Sequence, residues 1–141
     1  MSAAKNTCQA PHLRTGRQGE DLAERRLKAR GLRILERNFR TRHGELDLVC
    51  RAGDTLVFVE VKTRKAGSRA EPHQALTPAK RVRLARAAAE YLSARGGWDR
   101  PCRFDLVEVV APGTPDEAVR HIENAFALDG AEAGAGGWQP W

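Results

Sequence analysis

Asp47, Glu60 and Lys62 are the residues of this chain whose types and spacing could do chemistry. They interrupt Gly44 to Lys62, a stretch that reads G-E-L-D-L-V-C-R-A-G-D-T-L-V-F-V-E-V-K and is otherwise built for burial. Two carboxylates about 5 Å apart at an effective dielectric near 20 repel by roughly 3 kcal/mol. A fold that brings them together must offset that with a proton, with Lys62 or with a divalent cation. Oxygen-only ligands suit Mg²⁺ or Mn²⁺ rather than zinc. A lysine two residues past the second acid would stand beside such an ion, where it orients or deprotonates an attacking water. The same three residues also suit a polar strand end closed by a salt bridge, and spacing alone does not choose.

The element that must position them is a β-hairpin. Leu46 to Cys50 and Leu56 to Val61 are apolar, β-branched runs on either side of the turn signal Ala52-Gly53-Asp54. Alternation puts Glu60 and Lys62 on one face with Phe58, and Asp47 on one face with Glu45 and Val49. If Arg51 pairs with Leu56, Asp47 lies opposite Glu60 and Glu45 opposite Lys62. A slip of one residue would send the two acids to opposite faces.

With these residues in view the chain resembles a known group. Asp47, the hairpin and Glu60-Val61-Lys62 resemble the D…(D/E)-x-K signature of the restriction-endonuclease-like superfamily. More closely, the chain is similar to its YraN-like family of small bacterial proteins. The likeness is carried by Gly16, Gly19-Glu20, Ala23, Leu27, Gly31, Ile34-Leu35, Asn38, Arg40, Gly44 to Leu48, Phe58 to Arg64, Lys80 and Arg103-Phe104-Asp105, and runs from about Thr15 to Phe126. The resemblance implies a three-layer α/β/α sandwich around a mixed sheet. It also implies a magnesium-dependent nuclease site, in which Asp47 and Glu60 hold the metal with the Val61 carbonyl. Related resolvase-type nucleases place a third acidic ligand on the first helix, where the matching residue here is Glu20.

Composition adds a partner class. The net charge is +6, and the segment from Arg14 to Arg42 alone carries ten Lys or Arg against four Asp or Glu. Basicity concentrated in one segment is expected of a nucleic-acid binder; arginine-rich composition is the plainer explanation. The expected DNA contacts are Arg37, Arg40 and Arg42, with Arg64 and Lys80 near the hairpin. Cys8, Cys50 and Cys102 are widely spaced, with no C-x-x-C pair, so neither a disulfide framework nor a zinc site is indicated and a cytoplasmic setting is expected. No run is long enough to span a bilayer, and no membrane partner is expected.

The remaining elements follow in order. Residues 1–14 lack periodicity and are expected to be a disordered tail, with one domain over 15–128 and a low-complexity tail over 129–141 that holds Trp138 and Trp141. Thr15 to Gln18 reads as a capping box for a helix ending near Arg30, which would put Glu20 one turn from its start, where the helix dipole also favours an acid. Leu32 to Arg40 is a short strand, and His43 is a turn residue. Lys65 to Thr77 reads as a mobile loop suited to a substrate-contacting lid, with Gln74 a weak candidate contact. Thr77-Pro78 opens a long helix to Arg95, with Val82, Ala85, Ala89 and Leu92 as its apolar stripe. Arg103 to Val110 is a strand on which Asp105 serves as an arginine's partner. Ala118 to Phe126 suits a helix by its apolar spacing, or a final edge strand by the resemblance.

Three functions remain open on these readings. One is a metal-dependent endonuclease acting on DNA, including branched or single-stranded forms. Another is a nucleic-acid-binding module that keeps the fold without turnover. The third is a basic accessory protein whose acid cluster is structural.

Overall fold

The computed structural model describes residues 11–68 and 71–127. Helix α1 spans Pro11–Ala29, followed by strands β1 (Arg33–Thr41), β2 (Gly44–Ala52) and β3 (Thr55–Arg64). A 3₁₀ turn at Pro72–Ala75 precedes helix α2 (Pro78–Arg95), and strands β4 (Cys102–Val110) and β5 (Ala118–Phe126) complete the described part. Among the described residues no helix is long and apolar enough to cross a membrane.

The five strands lie in chain order in one sheet. Neighbours are antiparallel except β3 and β4, which run parallel because α2 carries the chain across between them. β3 is therefore central, as its apolar residues on both faces require. One face packs Leu48, Cys50, Val57, Val59, Val107 and Val109 against Ala23 and Leu27 of α1. The other packs Val49, Phe58, Phe104 and Phe126 against Leu84, Ala88 and Tyr91 of α2. Its aromatic rings form a chain: Phe104 stacks on Phe126 at 4.6 Å between centroids, and Phe58 meets Tyr91 edge-on at 5.8 Å. Each such pair adds about 0.5–1.5 kcal/mol to simple burial. The result is a helix–sheet–helix sandwich.

Several boundaries differ from the sequence reading. α1 begins at Pro11, so Thr15 lies inside the helix and Glu20 is nine residues from its start. The dipole then gives no reason for an acid at Glu20, since its influence fades within the first turn. On α2 the buried face is Leu84, Ala85, Ala87, Ala88, Tyr91 and Leu92, while Val82 and Ala89 are only half-buried. Tyr91 escapes an apolar-stripe reading because its hydroxyl masks the bulk of an apolar ring. Ala118–Phe126 is an edge strand, not a helix. The loop reading of 65–77 is interrupted by the 3₁₀ turn, where Gln74 accepts a hydrogen bond from the Glu71 N–H at 3.1 Å. Residues 1–10 and the tail with Trp138 and Trp141 lie outside the described residues.

Candidate metal and nucleic-acid site

The hairpin register is the one that joins the acids. Arg51 pairs with Leu56 and Ala52 with Thr55, leaving Gly53 and Asp54 as the turn; Gly53 has φ +60°, which favours glycine. The ladder runs to Leu48↔Val59 and stops there, while Leu46 and Glu45 pair with β1 instead. β2 and β3 thus fork at Asp47, whose carboxylate takes over the missing rung: Val61 N–H donates to its Oδ2 at 2.8 Å. A residue's N–H and C=O point to the same neighbour in an antiparallel pair, so the Val61 carbonyl also faces this fork.

Asp47 and Glu60 line one small pocket of about 160 Å³ with Gly44, Glu45, Lys80, Arg83 and Leu84. Lys80 Nζ lies 2.9 Å from Glu60 Oε1. Its place is set by the α2 N-cap, where Thr77 Oγ1 accepts the Lys80 N–H at 3.2 Å and Pro78 supplies the first helical residue. A cation in a helix's first turn faces the unfavourable end of the dipole, and Glu60 offsets it. Lys62 is exposed, shares the Glu60 face by alternation, and makes no ion pair among the described residues. The cation that neutralises the acids is therefore Lys80 and not Lys62.

Burial is the larger burden on Asp47. Loss of solvent, followed by the charge of Glu60, pushes its carboxyl up to about 8. The Val61 N–H pulls the other way, and Glu20 adds further repulsion. Asp47 is thus a half-buried acid that keeps its proton well above the ordinary carboxylate range.

Glu20 reaches this neighbourhood from α1. The helix can approach because Gly19 lies against Thr63 of β3; a Cβ there would overlap Thr63 Oγ1. Asn38, at φ +53°, turns its amide between the acids and donates to Glu20 Oε2 at 3.3 Å; with the amide turned over, which satisfies both its ends, the nitrogen donates to Glu45 Oε1 at 2.8 Å and Glu20 Oε1 at 3.1 Å. Sequence reasoning does not single out Asn38 and Glu45 for the site, although an asparagine inside a strand is itself a signal for a left-handed backbone. Among the described residues no three His, Cys, Asp or Glu side chains converge to hold an ion. Glu20 bonds to Arg37 and Asn38, and its charge bears on Asp47.

These residues lie within a recognised family span. The model of the Uncharacterised protein family UPF0102 matches residues 19–109. The chain belongs to the UPF0102, or YraN, family. It is 50% identical over 130 residues to a UPF0102 protein of Nitratidesulfovibrio vulgaris strain DP4, covering 90% of this chain and 95% of that one. It is 50% identical over 115 residues to UPF0102 protein STH1475 of Symbiobacterium thermophilum, covering 80% and 96%. A UPF0102 protein of Oleidesulfovibrio alaskensis is 48% identical over 131 residues, which cover 92% of this chain but 64% of the longer relative. The names give the family and no reaction.

Within this UPF0102 chain the expected phosphate contacts divide. Arg37 is a structural clamp: it donates to Asp21 Oδ1 at 2.8 Å, Glu24 Oε2 at 2.9 Å and Glu20 Oε2 at 3.3 Å, tying β1 to α1. Arg64 is also structural, 11% exposed and bonded to the buried Glu108 at 2.9 Å. A phosphate would have to displace these acids from either arginine. Lys80 faces Glu60 rather than open solvent. Arg40 and Arg42 are 86% and 87% exposed, the first 3.8 Å from Glu45 and the second 3.1 Å from Glu90. Glu90 also accepts the Arg42 N–H at 3.1 Å and lies 3.5 Å from His43 Nδ1, pinning the β1–β2 turn to α2.

Asp105 is structural, as expected. Arg103 donates to it at 3.0 Å, His121 Nε2 lies 2.7 Å away, and the Asn124 N–H donates at 3.1 Å. Cys50 and Cys102 are free and buried, and burial pushes their thiols up to about 12 and about 11, so they are inert as nucleophiles.

Proposed function

We propose that the fork between β2 and β3 is a hydrolytic centre for the phosphodiester bonds of DNA, assembled with Mg²⁺ or Mn²⁺. The observation that supports this most is the burial of Asp47 beside Glu60 at a broken rung of the ladder, at the cost of a carboxyl raised to about 8. The donors fit a hard cation: two carboxylates and the Val61 carbonyl, with water completing the shell. When bound, the ion supplies charge neutralisation and a polarised water. Asp47, deprotonated, and Glu60, freed from Lys80, would be the residues that hold it. Lys80 and Arg83 are then placed to face phosphate oxygens. Lys62, exposed on the Glu60 face, orients the water for in-line attack.

The Lys80–Glu60 pair, and the absence among the described residues of three His, Cys, Asp or Glu grouped to hold an ion, favour a second reading, a DNA-binding module with a structural acid pair. One experiment separates them. Single-stranded, duplex and branched DNA are incubated with the full chain in Mg²⁺ or Mn²⁺, beside Lys62→Ala and Asp47→Asn. Hydrolysis requires cleavage that Asp47→Asn abolishes and Lys62→Ala slows by about 10²–10⁴-fold. Absence of cleavage of every DNA form, with no calorimetric metal binding that Asp47→Asn removes, leaves the module.

A further inference from the structure

A groove of about 930 Å³ opens between the β1–β2 turn and the outer flank of α2. Phe39, Ala89 and Ala94 give it apolar lining, and Arg40, Arg42 and Arg86 supply three positive groups. Its end adjoins the acid pocket. Arg86 lines the groove and Arg83, about one helical turn away, lines the pocket; His43 and Gly44 are likewise neighbours across the two. We propose that this groove holds single-stranded nucleic acid and leads the strand to Asp47 and Glu60, an inference that rests on the hydrolytic reading.

Charge selects a polyanion. The three arginines outnumber Glu90, the groove's acid, and Arg42 already neutralises it at 3.1 Å. The Arg40–Glu45 contact at 3.8 Å is exposed and exchanges readily for a phosphate. The apolar lining selects a single strand. In a duplex the bases pair inward and their faces are stacked away, so a duplex offers this surface only its backbone. An unpaired strand can put bases against Phe39, Ala89 and Ala94 while its phosphates meet the arginines. Arg95, paired with Glu36 at 2.9 Å, lies over one face of the Phe39 ring at 5.4 Å from its centroid, so bases meet the remainder of the ring. From Arg86 to Ala94 the helix rises about 12 Å, enough to accompany three or four stacked nucleotides at about 3.4 Å each. The path then continues past Arg83 and Lys80 to the acids.

The test is fluorescence anisotropy of the full chain in EDTA, with a labelled oligothymidylate and the same strand annealed to its complement. The single strand is expected to bind at least tenfold more tightly. Arg40→Ala with Arg86→Ala, which spares the Arg42–Glu90 pin, should lower the magnitude of the salt slope by about 1.4, or about 0.7 for each single-strand phosphate that is no longer neutralised. Ala89→Glu, a carboxylate in the lining, should weaken the single strand at least tenfold; if it disturbs the fold, the double arginine variant carries the test alone. A duplex bound as tightly as the single strand, or an unchanged salt slope in the arginine variant, overturns the proposal. Without metal, cleavage does not enter the result. A chain that cleaves nothing but binds through the groove keeps this inference and loses the hydrolytic reading. One that cleaves duplex DNA with the arginine variant unaffected does the reverse.

Discussion

Replacing Asp47 by Asn should make the metal-free protein more stable, by an amount that grows with pH. The folded protein holds the Asp47 proton up to about pH 8, whereas the ordinary value is 3.8. Below about pH 3.8 both folded and unfolded chains are protonated and the group contributes nothing. Between 3.8 and about 8 the unfolded chain has lost the proton that the folded chain keeps, so wild-type stability falls as pH rises. Above about 8 the loss is complete. At about 1.4 kcal/mol per tenfold change in proton affinity, its ceiling is roughly 6 kcal/mol. Screening at the pocket mouth reduces this, and about 2–3 kcal/mol is expected at pH 8. The introduced asparagine keeps an oxygen for the Val61 N–H and offers Glu60 an N–H in place of the shared proton, without the charge. Thermal unfolding in EDTA at several pH values between about 4.5 and 8 reads the effect, as a rise in Tm of roughly 6–10 °C at the upper end and little at the lower. Adding Mn²⁺ should stabilise wild type and not the variant, narrowing or reversing the difference. A variant less stable than wild type at pH 8, or a difference flat across the range, would refute the buried-proton account.

Other substitutions probe the charges around the site. Lys80→Met removes the cation that competes for Glu60, so calorimetry should show Mn²⁺ binding about tenfold tighter, near 1.4 kcal/mol; unchanged or weaker binding would mean Lys80 does not occupy the ion's place. Arg37→Ala should cost about 1–3 kcal/mol in urea unfolding by releasing three acids on α1, while leaving the salt slope for DNA unchanged. A reduced slope would return Arg37 to the DNA footprint. Asp105→Ala should cost about 3–5 kcal/mol by stranding Arg103 of β4 and His121 of β5, and a loss below about 1 kcal/mol would show that this buried cluster is not holding the edge strand.

Local patterning determined much of this protein. β-branched runs around Ala52-Gly53-Asp54 specify a hairpin, and of the registers this left open the structure takes the one that pairs Arg51 with Leu56 and brings Asp47 and Glu60 to one face. The two-faced apolar β3 had to be central, and Thr77-Pro78 had to start α2. The sequence could not say which cation neutralises the acids, because Lys80 is distant along the chain and only the α2 crossover brings it to Glu60. The same holds for the basic stretch. Arg37, Arg40 and Arg42 look alike in sequence, yet α1 packing places three carboxylates on the first and leaves the other two at a groove. Glu20 has an adequate local explanation only if the helix starts near Thr15, and it starts at Pro11. The edge strand at Ala118–Phe126 has helix-like apolar spacing, and its pairing with β4, a non-local term, overrides it. Secondary structure was legible because it depends on neighbours in the chain. The ownership of each charge depends on packing between elements, which the tertiary structure alone decides.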